Sequence, residues 1–252
     1  MTGRDHYYNK SKQEGYRSRA AYKLQQLDDA VDLLHDGATV VDLGAAPGGW
    51  LQVAAERVGD EGTVVGVDLQ RIDPLDGVET VKGDMTDEET REAVTELVGD
   101  ADVVLSDMAP NMTGEYNVDH ARSVHLARLA FETALDVLDS GGDFVVKVFQ
   151  GQDLDDFRDD VEAEFEYVRT MSPDASRQES SEVYLVARGR LTAPVREGDR
   201  LEVTIEGVGS EGDGVAKVEE YTLFVPGAEE GETVEIRVDE VKPRFGFAER
   251  LD

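Results

Sequence analysis

Seven short apolar runs rich in β-branched residues alternate with amphipathic segments along the first 190 residues of this chain, and then the alternation stops. The runs fall near 38–43, 63–67, 78–82, 102–106, 142–149, 163–170 and 182–188, and segments of helical period fall near 48–58, 86–98, 119–138 and 152–162. Strands that return through helices pair in parallel. The pattern therefore predicts an α/β domain with a large, doubly wound, mainly parallel sheet of seven strands. A further helix is predicted upstream, where Ala20, Leu24, Leu27, Val31 and Leu34 form one stripe, with Ser18 as its N-cap and Lys23 on its flank.

Past 189–194 the helical period is gone. LEVTIEGV, GVAKV, YTLFVPG and TVEIRVDEV are short strands, separated by turns at Gly207, Gly209, Gly212, Asp213-Gly214, Gly227 and Gly231. They predict a second, small all-β domain, read as a barrel, so the boundaries expected are 1–190 and 191–252.

Charge narrows the class further. The chain has 25 Lys+Arg against 56 Asp+Glu, a formal charge of −31 spread along its whole length. The apolar runs bury too much for disorder, so the acidity belongs to the surface, as in proteins of cells that accumulate salt. At about 1 M salt the Debye length is about 3 Å, and such a surface does not exclude an RNA partner. The absence of cysteine excludes disulfides, thiolate metal sites and cysteine nucleophiles. His6, His35, His120 and His125 form no metal constellation, and no metal is expected. No run has the roughly 18 apolar residues of a membrane span and the N-terminus has no apolar signal region, so a cytoplasmic protein is expected.

The first 23 residues depart from the general acidity, with Arg4, Lys10, Lys12, Arg17, Arg19 and Lys23 against Asp5 and Glu14, and with His6, Tyr7, Tyr8 and Tyr16 among them. Basic groups for phosphates interleaved with rings for base stacking suit single-stranded nucleic acid. A solvated arm is the plain alternative.

Four motifs follow a strand closely. VVDLGAAPGGW (40–50) is a strand, a glycine turn and a helix start, suited to a nucleotide-like cofactor or simply to a tight connection. It lacks the second glycine of the dinucleotide fingerprint G-x-G-x-x-G, which argues against a nicotinamide-dependent dehydrogenase. VVGVDL ends on Asp68, about 20 residues on, where a carboxylate accepts from ribose hydroxyls. GDM places Asp84 after a third strand, either as an acceptor for an adenine amino group or as the N-cap of the next helix. VVLSDMAPNMTG puts Asp107 at the end of the fourth strand, beside the cleft where such sheets bind ligands. Two later motifs add charge. FVVKVFQG holds Lys147 inside an apolar strand, although lysine is almost never buried unpaired, and SSEVYLVA opens on Glu182.

From about Tyr16 to Gly189 these motifs, with YRSRAAYKL before them, resemble the FtsJ/RrmJ-type (RlmE) large-subunit ribosomal RNA 2′-O-methyltransferases. The resemblance implies a Rossmann-like class I methyltransferase fold and transfer of a methyl group from S-adenosylmethionine to a ribose 2′-oxygen of a uridine. It implies ribosomal RNA, within the large ribosomal subunit, as partner. A monomer is expected, though nothing in the sequence itself sets the oligomeric state. It places the family's catalytic tetrad on Lys23, Asp107, Lys147 and Glu182, and its cofactor contacts on Gly48, Trp50, Asp68, Asp84 and Asp107. Lys147 would stand next to the 2′-oxygen, as a neutral base or as a charged orienting group. The same chemistry on transfer RNA or another RNA, and a noncatalytic RNA-binding assembly factor, are the rival readings.

Residues from about 192 to 250 resemble a TRAM domain, an RNA-binding β-barrel, through Gly207 to Gly214 and LFVPGAEEGETVEIRV. With 7 basic and 16 acidic residues in 191–252, a net charge of −9, this domain is unusually acidic for one that binds RNA. Tyr221, Phe224, Phe245 and Phe247 are then either RNA contacts or barrel core.

Overall fold

The computed structural model describes residues 6–177, 180–210 and 212–251. Arg4 and Asp5 of the basic segment lie outside the described residues. Two compact units divide the chain, the first ending at Arg188 and the second starting at Gly189 and taking in Glu164–Glu166.

The first unit opens with two helices, α1 (His6–Glu14) and α2 (Ala21–Val31). Then come β1 (Thr39–Leu43), α3 (Gly49–Val58), β2 (Thr63–Asp68), β3 (Val78–Lys82), α4 (Glu88–Val98), β4 (Ala101–Ser106), α5 (Tyr116–Val137), β5 (Leu138–Phe149), α6 (Leu154–Glu162), β6 (Phe165–Met171) and β7 (Glu182–Arg190). The sheet order is β3-β2-β1-β4-β5-β7-β6. Strands β1 to β5 pair in parallel, and β7 runs antiparallel to β5. The central strands carry the fully buried Val40, Leu43, Leu105, Phe144 and Leu185, so both faces of the sheet are covered.

Two local readings are corrected here. The segment at the N-terminus is not an arm throughout: His6–Glu14 is helical, and Tyr7 and Tyr16 pack on Tyr22 with ring centroids 5.4 and 5.6 Å apart. Ser18 does not cap α2. The helix starts after Ala20 without a side-chain cap, because the Ser18 hydroxyl faces Gly49, where an added Cβ would meet it at 2.3 Å. At the other end the buried Asp28 accepts from the N–H groups of Leu33 and Leu34 at 3.1 and 2.8 Å. That capture stops the helix at Val31, although the apolar stripe continues to Leu34.

The second unit is a closed barrel of β8 (Arg200–Val208), β9 (Gly214–Val218), β10 (Tyr221–Val225), β11 (Thr233–Val241) and β12 (Phe245–Arg250), in the order β10-β12-β11-β8-β9. Ile205, Leu223, Val225 and Ile236 fill it. Four of these strands are legible as alternating runs, whereas β12, FGFAER, is not. Its small residues Gly246 and Ala248 face inward and its phenylalanines outward, the reverse of the usual alternation. By pairing in parallel with β10 it closes the barrel and removes the sheet edges.

Candidate active site

The strand order reverses between β1 and β4, whose crossovers leave in opposite directions, and at such a point open α/β sheets bind ligands in the crevice outside the carboxyl ends of the strands. The glycine turn after β1 lines one side. Gly44 (φ 83°) adopts a conformation natural to glycine, and a Cβ there would sit 2.6 Å from Met108 Cγ, so the turn is packed against the loop that follows β4. Gly48 (φ 104°) precedes α3, with the Arg17 guanidinium 2.9 Å from where its Cβ would be. Arg17 donates to the carbonyl oxygens of Pro47, Asp73 and Pro74 at 3.2, 2.6 and 2.7 Å, tying the glycine turn to the loop after β2.

Asp68 closes that side. Its Oδ2 accepts from Ala46 N at 2.9 Å and its Oδ1 from Gln70 N at 2.7 Å. Each oxygen keeps a further lone pair for a ligand hydroxyl. Asp84 does not cap α4, whose N-cap is Asp87. Its Oδ1 accepts instead from Thr86 N (2.9 Å) and Thr86 Oγ1 (2.7 Å), and these bonds hold the carboxyl below its ordinary range. Trp50 is buried; its indole donates to Ala20 O at 2.8 Å and its ring lies 5.9 Å from that of Tyr184. The indole nitrogen is therefore committed to the fold.

Register assembles the charged residues. Ser106 pairs with Val146, which places Asp107 next to Lys147, and Lys147 pairs with Tyr184 on the antiparallel β7. Side chains opposite each other in an antiparallel pair share a face, and Glu182, two residues before Tyr184, shares it too. Lys23 reaches this face from α2.

The outcome is a chain of contacts. Lys147 Nζ sits 2.9 Å from Asp107 Oδ1 and 2.5 Å from Asp107 O. Tyr184 donates its hydroxyl to Asp107 Oδ1 at 2.8 Å and accepts from Lys23 Nζ at 3.1 Å. Lys23 pairs with Glu182 Oε1 at 2.7 Å. Lys23 and Lys147 are both buried. Burial works to raise the Asp107 carboxyl, but Lys147 and Lys23, with hydrogen bonds from Lys147 and Tyr184, hold it below its ordinary value. Glu182 behaves alike: burial raises it and Lys23 overrides the effect. Two ammonium groups and two carboxylates thus balance in a site where any one alone would be costly.

All four tetrad residues read from the sequence meet here. Two more were missed. Tyr184 joins the halves of the tetrad, and its phenol is pushed well above its usual range by burial and then by Asp107 and Glu182. Its place two residues after Glu182 on the same strand is the sequence signal. Asp42 lies on β1, 1% exposed, and neither carboxyl oxygen has a hydrogen-bond partner among the described residues. Burial pushes it well above the carboxylate range, and Asp107 and Asp68 push it further. A charged residue inside an apolar run marks it, as it marks Lys147.

The residues from 16 to 190 match the family model of the FtsJ-like methyltransferases. The chain belongs to that family. A TRAM domain model matches residues 194–251 of the barrel. A Natronomonas pharaonis protein named ribosomal RNA large subunit methyltransferase E is 71% identical over the full length of both chains. A Haloarcula marismortui protein of the same name is 64% identical, again over all of both chains. Among solved structures, a Plasmodium falciparum protein described as a ribosomal RNA methyltransferase superposes with a TM-score of 0.63 at 28% identity, over 69% of this chain and 98% of its own. The FtsJ-like domain uses S-adenosylmethionine as its methyl donor. Among the described residues no group of three or more His, Asp or Glu is placed to hold a metal ion, and no helix is long and apolar enough to cross a membrane.

Proposed function

We propose that this protein methylates the ribose 2′-oxygen of a uridine in large-subunit ribosomal RNA, acting in the cytoplasm as a monomer on RNA within the large ribosomal subunit. The observation that carries the reading is the Lys147–Asp107–Tyr184–Lys23–Glu182 chain, set at the carboxyl ends of β4 and β5 beside the glycine turn. The full-length identity to relatives named as ribosomal RNA methyltransferases supports the substrate.

The crevice fits the methyl donor. Asp68 keeps lone pairs for ribose hydroxyls and Asp84 offers a free oxygen for an amino group, while the glycine turn between them and the tetrad is fixed by the packing of Gly44 on Met108 and of Gly48 on Arg17. Backbone at Gly48 and Trp50, together with Asp107, completes the binding set. When bound, S-adenosylmethionine supplies a methyl group already activated on a sulfonium.

The protein's work is then to align the hydroxyl and manage its proton. Lys147 spends two of its three donor directions on Asp107, which aims the third. The Asp107–Lys147 ion pair favours the orienting role, in which Lys147 steers a hydroxyl lone pair and stabilises charge growing on the oxygen. A rate that falls as pH rises marks that role. A rate that rises to a plateau marks a neutral base instead.

The test uses labelled donor at high potassium chloride, with unmodified large subunits, free ribosomal RNA and transfer RNA offered separately. Label on one large-subunit uridine supports the proposal; label on transfer RNA alone refutes the substrate, and label on none refutes the activity. Lys147→Ala is expected to abolish turnover and leave donor binding nearly intact. Equal losses of the two would overturn the assignment of Lys147.

A further inference from the structure

The two segments that carry the reacting groups are both held by the first turns of α5. The loop after β4, which starts at Asp107, is pinned where the buried Asp119 accepts from Thr113 N, Thr113 Oγ1 and Gly114 N at 2.8, 2.8 and 3.0 Å. The end of β5, which carries Lys147, is held by His120 and Ser123. Ser123 Oγ accepts from Phe149 N at 3.0 Å, and His120 Nδ1 donates to Phe149 O at 3.0 Å, since a carbonyl oxygen only accepts. His120 Nε2 then accepts from Asp153 N at 3.2 Å, and a Cβ on Gly151 would lie 2.4 Å from the imidazole. His120 is thus buried and fixed at both nitrogens.

Tyr116, the first residue of α5, is held there too but is not buried. Its hydroxyl donates to Gln150 O at 2.5 Å, which anchors the ring to the same strand end. The ring is parallel to that of His120 to within 11°, with centroids 6.4 Å apart. Yet the residue is 58% exposed, so one ring face looks to the buried imidazole and the other to solvent. Met112, one residue before the pinned Thr113, is 64% exposed. A ring held at its hydroxyl and its inner face has little freedom left to lose when something flat covers it. Position says what that is. Gln150 follows Lys147 by three residues, about 10 Å of strand. RNA rises by about 3.4 Å per stacked nucleotide, so a strand with one ribose at Lys147 brings a nearby base within reach of Tyr116. Charge argues against a phosphate there, because residues 108–122 hold one cation, Arg122, 3.5 Å from Asn111 O, against Glu115 and Asp119.

We propose that Tyr116 stacks on a base close to the methylated ribose and so holds the target strand over Lys147. The inference rests on the proposed methylation of RNA at Lys147 and adds a substrate contact to that site. The open part of the residue is on the order of 100 Å², enough for one base and far below the roughly 1,200 Å² of a stable protein interface. Stacking on a ring tolerates any base, so Tyr116 fixes where the strand lies and not which base is chosen.

The experiment compares the full-length protein with Tyr116→Leu, Tyr116→Phe and Tyr116→Trp. On unmodified large ribosomal subunits the leucine variant is expected to lose about fivefold to a hundredfold in kcat/KM, the range for one lost base stack, mainly through KM. The factor should be the same at about 0.5 M and about 3 M potassium chloride, because no phosphate contact is lost. The phenylalanine variant gives up the bond to Gln150 and keeps the ring, and should keep most of the parent's kcat/KM. Donor affinity should be unchanged in all three. Equal losses in the leucine and phenylalanine variants would make Tyr116 only a clamp on β5 and overturn the stack; so would a loss confined to kcat, or one that vanishes at high salt. Tyr116→Trp adds a direct signal, since Trp50 is the one tryptophan of the parent. Its emission above that of the parent should be quenched by a short unstructured RNA and not by the same backbone without bases. No quenching, or equal quenching by both, overturns the proposal. A parent that methylates ribosomal RNA and a leucine variant that matches it refute the stack alone. A parent that methylates no ribosomal RNA, with base-dependent quenching intact, refutes the proposed activity and leaves the stack standing.

Discussion

Tyr184→Phe removes one oxygen from the centre of the charged chain and changes nothing else in shape. Tyr184 is fully buried, so no water replaces the lost contacts. Its hydroxyl makes two hydrogen bonds to ionised partners, to Asp107 at 2.8 Å and from Lys23 at 3.1 Å. Bonds to charged groups contribute about 1.5–3 kcal/mol each. Neither charge is orphaned by the change, because Asp107 keeps Lys147 at 2.9 Å and Lys23 keeps Glu182 at 2.7 Å. The expected net loss is therefore at the low end of the sum, about 3 kcal/mol, or a fall in melting temperature of about 6–12 °C for a domain of this size. The pH dependence follows from Asp107, whose folded pKa is lowered. Such a group adds stability that is present above the unfolded value of about 4 and is lost as pH falls through the folded one. Because Tyr184 is one cause of the lowering, the gap between parent and variant should be full at pH 6–7 and narrow below about pH 4. Turnover should fall about tenfold to a hundredfold through a less well-held Asp107 and Lys147, with donor affinity unchanged. Melting curves from pH 3 to 7 check the reasoning; an unchanged melting temperature, or a gap constant down to pH 3, would refute it.

Two further substitutions probe the glycine turn and its strand. Asp42→Asn replaces a buried carboxyl whose folded pKa is raised, so the parent should lose stability as pH climbs from about 4 toward that raised value while the variant does not. Thermal melts at pH 5 and pH 8 compare the two, and parallel curves would count against an unpaired acid at that position. Gly44→Ala combines a positive φ with a Cβ 2.6 Å from Met108 Cγ, and should cost about 1–3 kcal/mol of stability and weaken donor binding more than RNA binding. Calorimetric titration with the donor product checks it.

What was legible in the chain depended on how local the signal was. The seven strands and the helices between them follow from period and turn residues within each segment. The helix stripe from Ala20 to Leu34 was legible too, but its ends were not: Asp28 capturing two backbone N–H groups and Ser18 turning to Gly49 are contacts across turns and elements. Strand β12 escaped because its large residues face out, so its alternation mimics neither a core strand nor a surface one. Asp42 and Tyr184 were missed for a related reason. An acid or a phenol inside an apolar run is ambiguous until its neighbours in space are known.

Sequence alone determined the α/β architecture and the all-β second domain, and marked Lys147 as a charge in an apolar strand, since periodicity, turn chemistry and the cost of burying an unpaired charge act over a few residues. The tetrad as a set came from the resemblance to a family. Tertiary structure decided how they work together. The register of β4, β5 and β7, met by Lys23 from α2, brought residues separated by up to 161 positions into hydrogen-bond distance and inserted Tyr184 between them, while Asp42 on β1 was left without a hydrogen-bond partner among the described residues. The same holds for Phe245 and Phe247, whose exposure follows only from closure of the barrel by β12 against β10. Register and closure are properties of strands meeting across the fold, and no single segment contains them.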